Sequence, residues 1–132
     1  GALDVAKQNA LSNDVKVEFI ESNLFEQVSG QYDIIVSNPP YIESEVIGTL
    51  MPEVREFEPM LALDGTEDGL YFYREISNAA PRYLTENGEI FFEIGYNQGE
   101  AVTNIVRAAG FAYAEVRKDL AGLDRVVYGR LK

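Results

Sequence analysis

Asn38-Pro39-Pro40-Tyr41 is the stretch of this sequence best equipped for chemistry. Asn38 offers an amide oxygen that accepts and an NH2 that donates. Pro39 offers a carbonyl with no competing N–H. Pro40 fixes its own φ and holds the residue before it extended. Tyr41 adds a flat aromatic face. Two convergent acceptors, one from a side chain and one from the main chain, suit a planar NH2 group, and a ring beside them can pack on its face. The plain alternative is a Pro-Pro loop in which Asn38 merely closes a turn. Asn-Pro-Pro arises by chance about once in ten thousand positions. Its position directly after the apolar run DIIVS favours the functional reading, because open α/β sheets bind ligands at the carboxyl ends of their strands.

Composition narrows the chemistry further. The 132 residues include no cysteine and no histidine, which removes thiol nucleophiles, imidazole bases and the usual zinc ligands. The formal net charge of −11 disfavours direct binding to a nucleic-acid backbone, which calls for clustered Lys and Arg. At 46% hydrophobic residues the chain has enough apolar side chains for a core, and no run approaches the length of a membrane-spanning helix. The opening residues lack the pattern of a secretory signal, so a cytoplasmic protein of one domain, residues 1–132, is expected, with no membrane partner.

The elements that must position the corner alternate between helix and strand. Residues 1–12 are helix-like, with Leu3, Ala6 and Ala10 on one face. Residues 16–21 alternate as a strand would, and residues 33–37 form a short continuous apolar run, the pattern of a strand buried on both faces. Residues 42–63 read as a long irregular segment. Residues 67–84 predict a helix with Leu70, Tyr73, Ile76 and Ala80 on one face and a kink at Pro81. Residues 89–94 predict a strand opened by an Asn87-Gly88 turn, and residues 98–109 an amphipathic helix closed by Gly110. Two last strands, residues 111–117 and 125–131, are joined by too short a loop to be parallel and must pair antiparallel. Tyr71, Phe72 and Tyr73 are expected to pack within their helix, and Arg125 to form a structural ion pair. Glu58 and Glu93 are balanced between support of the corner and ordinary solvated acids.

Together with its neighbours the corner resembles a known family. NPPY after a DIIVSN strand is similar to the amino-directed S-adenosylmethionine-dependent methyltransferases. The segments VREFEPMLALDGTEDGLYFYREI, FFEIGYNQGEAV and KDLAGLDRVVYGR resemble the HemK-like peptide-chain release factor glutamine methyltransferases, over essentially the whole chain. The resemblance implies an α/β fold: a partial Rossmann-like class I methyltransferase sheet, mostly parallel with a C-terminal antiparallel strand pair and with its first two strands missing. It implies S-adenosylmethionine as cofactor and a release factor as substrate and partner. By resemblance, Asn38 binds the target glutamine amide through its side-chain oxygen, Pro39 takes the second amide hydrogen on its carbonyl, and Pro40 and Tyr41 complete the substrate pocket. Asn23 and Leu24 correspond to adenine-pocket positions, with Asn23 standing where members usually carry an acid, and Asn38 also borders the cofactor.

No Gly-x-Gly-x-Gly element occurs in the sequence. The resemblance therefore predicts the C-terminal portion of a catalytic domain, inactive alone, with a bare sheet edge beside residues 33–37. That edge would be covered by a second copy, by strand exchange, or by the segment around Val17. A non-catalytic fragment and a nucleic-acid amino methyltransferase stay open as alternatives at this point.

Overall fold

The computed structural model describes residues 1–41 and 68–132. These divide into two compact units, Gly1–Gly30 and Gln31–Lys132. The first holds one helix, α1 (Ala2–Ser12), followed by turns. The predicted face of α1 is the one it shields: Leu3, Ala6 and Ala10 are its half-buried positions. Residues 16–21 are not a strand, contrary to the alternation. Val17 is 53% exposed and Ile20 40%. Alternation marks a segment that could line a sheet, but a strand exists only through the partner that completes its ladder, and among the described residues this segment has none.

The second unit is a four-stranded sheet in the order β1 (Tyr32–Ser37), β2 (Leu84–Glu93), β4 (Asp124–Arg130), β3 (Tyr113–Lys118). β1 and β2 are parallel; β4 lies antiparallel between β2 and β3. Three strands therefore point one way and β4 the other, which gives the mostly parallel sheet and the antiparallel final pair. The insertion of β4 beside β2 was not foreseen. Helix α2 (Tyr71–Ala79) runs into a short 3₁₀ turn (Ala80–Tyr83) that begins with Ala80-Pro81, so Pro81 tightens the chain where a kink was expected. Helix α3 (Gly99–Ala108) follows β2, and Gly110 just past it takes φ +108°, a left-handed conformation that suits glycine.

The core lies on one side of the sheet. Tyr73, Ile76, Val102 and Val106 from the helices meet Ile90, Phe92 and Val127 from the strands, all at most 4% exposed. Tyr73 and Phe92 contact edge to face with ring centroids 5.2 Å apart. The opposite side carries Phe91, Tyr113 and Tyr128, with Arg117 lying 4.4 Å from the Tyr128 ring centroid and Arg130 lying 5.2 Å from that of Tyr113. Such cation–π contacts pack charged side chains against the aromatics of this face.

β1 departs from its expected burial on both faces. Ile34 is 53% and Val36 75% exposed: among the described residues β1 is an edge strand, and these positions lie on the side of the sheet opposite the helices. Among the described residues β1 pairs with β2 alone. The β1–β2 ladder contains a bulge in which residues 85–88 stand opposite Asp33, and Thr85 Oγ1 donates to Asp33 Oδ1 at 3.0 Å across it. The Asn87-Gly88 turn thus sits inside β2 rather than before it. Gly88 permits the tight path: a Cβ there would lie 2.7 Å from the Leu84 Cβ.

Candidate methyl-acceptor site

The parallel register places Ser37 beside Phe92, so β1 and β2 end together. Asn38 leaves the end of β1 exposed, Pro39 is buried, and Pro40 and Tyr41 are half-buried. The prolines thus plug the end of the sheet while Asn38 faces outward. An apolar cleft of about 570 Å³ opens against this end, bordered by Asn38 and Glu93 at the strand termini, Val36 and Phe91 on the sheet, and Arg125 and Val126 on β4.

Tyr41 does not stand free at a rim. Gly95 lies under its ring, and a Cβ added at Gly95 would be 3.2 Å from Tyr41 Cδ2 and Cε2. The Tyr41 carbonyl accepts a hydrogen bond from Gln98 Nε2 at 3.1 Å. Gln98 is 8% exposed; its Nε2 also donates to the Gly69 carbonyl at 3.2 Å, and its Oε1 accepts from the Gly95 N–H at 2.9 Å. Sequence reasoning passed over Gln98. The available signal was a glutamine at the position preceding the first residue of a buried helix, where a short capping side chain is usual.

Glu93 contributes through its main chain. Its carbonyl accepts from the Tyr73 hydroxyl at 2.7 Å, which ties the end of β2 to α2. Burial, reinforced by the neighbouring Tyr41 and Glu93, pushes the Tyr73 phenol far above its ordinary value. In the unfolded chain that phenol ionises near pH 10, whereas in the folded chain it stays protonated. Above about pH 10 the unfolded state alone releases the proton, so this group's contribution to stability falls as pH rises. Tyr73→Phe is expected to cost about 1 kcal/mol at pH 8 through the lost hydrogen bond. It should also flatten the decline between pH 9 and 11; urea unfolding of both proteins across that range measures this.

The remaining expectations sort clearly. Tyr73 is core, as foreseen; Tyr71 is 42% exposed and contacts Phe72 edge to face at 5.1 Å. Arg125 pairs with Asp119, Nη2 to Oδ2 at 3.3 Å, although the acid lies on the β3–β4 loop rather than in the sheet. That loop is shaped by Asp119 Oδ1, which accepts from the N–H of Ala121 and Leu123; the Leu123 bond first, with the Arg125 pair in support, holds the carboxyl below its usual range. Asn23 and Leu24 lie in a turn of the 1–30 unit. Leu24 takes φ +53°, its carbonyl accepts from Ser22 Oγ at 2.8 Å, and Ser22 Oγ accepts from the Gln27 N–H at 2.9 Å. Glu58 and residues 42–63 lie outside the described residues.

The "Methyltransferase small domain" family model matches residues 1–54. The release factor glutamine methyltransferase of Agrobacterium fabrum is 49% identical over 128 residues, covering 96% of this chain and 44% of that protein. The protein of the same name from Geobacter sulfurreducens is 46% identical over 132 residues, covering 99% of this chain and 46% of that one. By sequence, this chain is similar to the release factor glutamine methyltransferases. It spans less than half the length of each of these relatives. The fold is similar to that of a methyltransferase from Pyrococcus furiosus, which superposes with a TM-score of 0.71 at 15% identity, over 97% of this chain and 56% of that one. Among the described residues no helix is long and apolar enough to cross a membrane.

Proposed function

We propose that this chain forms the methyl-acceptor side of a cytoplasmic S-adenosylmethionine-dependent enzyme that methylates a glutamine side-chain amide in a peptide-chain release factor. The observation that carries the reading is the outward-facing Asn38 on a corner whose Pro39 is buried, at the joint end of two parallel strands. Asn38 Oδ1 and the Pro39 carbonyl each accept one hydrogen of the target NH2. An amide nitrogen is a weak nucleophile because its lone pair is delocalised. Two fixed acceptors orient it and stabilise the positive charge that grows on it during transfer, a positional and electrostatic form of catalysis that requires no histidine. Pro40 holds the bend, and Tyr41 closes the pocket.

S-adenosylmethionine, when bound, supplies an electrophilic methyl group. Asn23 and Leu24 are the residues assigned to its adenine, with Asn38 at the border between cofactor and substrate. The left-handed backbone of Leu24, a conformation that a branched side chain adopts at a cost, supports a binding role for that turn. These 132 residues carry no Gly-x-Gly-x-Gly element. The formal charge of −11 opposes a nucleic-acid substrate. The open edge of β1 is where a second copy, or an exchanged strand, would add.

The test is methyl transfer by the full-length protein from labelled S-adenosylmethionine to a release factor, with the site located by fragmentation mass spectrometry. One methyl on a glutamine side-chain nitrogen is expected. Label on a nucleobase, or on no acceptor, would sink the reading.

A further inference from the structure

Resting on that reading, we infer that Gln98 is the positioning residue of the acceptor corner. Neither Pro39 nor Pro40 has an N–H, so neither can be held in place by donating a hydrogen bond. Upstream, the corner is fixed by the pairing of Ser37 with β2. Downstream, it is fixed at the Tyr41 carbonyl, and the donor is the Gln98 side chain from the start of α3, 57 positions along the chain.

The chemistry of a primary amide is what this place demands. Three main-chain groups converge on Gln98: one N–H, from Gly95, and two carbonyls, of Tyr41 and Gly69. A glutamine amide matches them with one acceptor and two donor hydrogens. At 8% exposure, water offers little substitute. The two carbonyls belong to residues far apart in the chain, so one amide ties both Tyr41 and Gly69 to the start of α3. Gly95 completes the arrangement by leaving room for the Tyr41 ring, which a Cβ would meet at 3.2 Å. Gln98 touches no reacting atom in this scheme; it acts through Tyr41 and the corner. A shift of the corner by about 1 Å is enough to cost on the order of 100-fold in rate.

Gln98→Glu separates positioning from general structure. The carboxyl keeps the shape and still accepts from Gly95, but when ionised it turns an oxygen toward two carbonyls and donates nothing. When protonated it regains one donor, and burial against carbonyl dipoles favours that form. In the full-length protein at pH 8, the variant is expected to lose about 10- to 100-fold in kcat/KM for the release factor, following the estimate above. The KM for S-adenosylmethionine should stay within about twofold. The deficit relative to the unmodified protein should shrink several-fold between pH 8 and pH 6. Gly95→Ala, which presses on the same contact from the other side, should lower the same acceptor parameter without the pH recovery; it decides the matter if Gln98→Glu does not fold. An acceptor kcat/KM within twofold of the unmodified protein, or a deficit shared equally by cofactor binding and unmoved by pH, overturns the inference while leaving the proposed activity standing. Absence of transfer in the unmodified protein overturns both.

Discussion

On the proposed reading, Asn38→Ala in the full-length protein should reduce methyl transfer to the release factor by about 100- to 1,000-fold, the range expected when one preorganised hydrogen-bonding partner of a transition state is removed. The change should fall on kcat, since the acceptor matters most as charge develops on the amide nitrogen. Stability should hardly move. Asn38 is exposed at the end of β1, so truncation opens no cavity and, among the described residues, strands no buried partner. Single-turnover transfer measured beside a thermal melt gives both numbers. A variant that retains transfer to within a few-fold would take Asn38 out of the acceptor role, whereas a melt lowered as much as the rate would make the residue structural.

Phe92→Ala should have the opposite profile. Phe92 is fully buried on β2, one of the two strands flanked on both sides, and packs edge to face on Tyr73. Its removal deletes a large apolar side chain and leaves a cavity between sheet and helices, worth about 3–5 kcal/mol. That is a large share of the 5–15 kcal/mol typical of whole proteins. Val36→Ala, on a side chain 75% exposed, is the matched control and should stay within about 0.5 kcal/mol. Urea unfolding of the two variants measures the difference. A Phe92→Ala cost below about 1 kcal/mol would contradict the packing described for β2.

The contrast between these variants reflects what the sequence could and could not express. The helix over residues 98–109 and the antiparallel final strands were legible because amphipathic periodicity and a short loop are local signals. The Asn38–Tyr41 corner was legible because two prolines after an apolar run leave few alternatives. The strand expected at residues 16–21 failed because alternation reports a local capacity, whereas a strand needs a partner. Asn87-Gly88 carried the chemistry of a turn, but register with β1 made it a bulge inside β2. The exposure of Ile34 and Val36 could not be read, since a continuous apolar run looks the same at the end of a sheet as in its middle. Gln98 was hidden for a related reason: its bonds to Gly69 and Tyr41 join positions 29 and 57 apart, and no short window of sequence contains both ends.

The β1–β2 pairing bears on the order in which the molecule assembles and comes apart. β2, α3, β3 and β4 are consecutive in the chain and can collapse as a unit from neighbouring pieces. β1 joins that unit only by closing a long loop, as its side-chain bond across 52 positions illustrates, and it is held along one edge. It is therefore the strand most cheaply released in a partial opening. Native-state hydrogen exchange should show β1 amides less protected than those of β2 and β4. Because the acceptor corner is carried on β1, a substrate amide seated there would draw that strand closed, and part of its binding free energy would be spent on completing the fold.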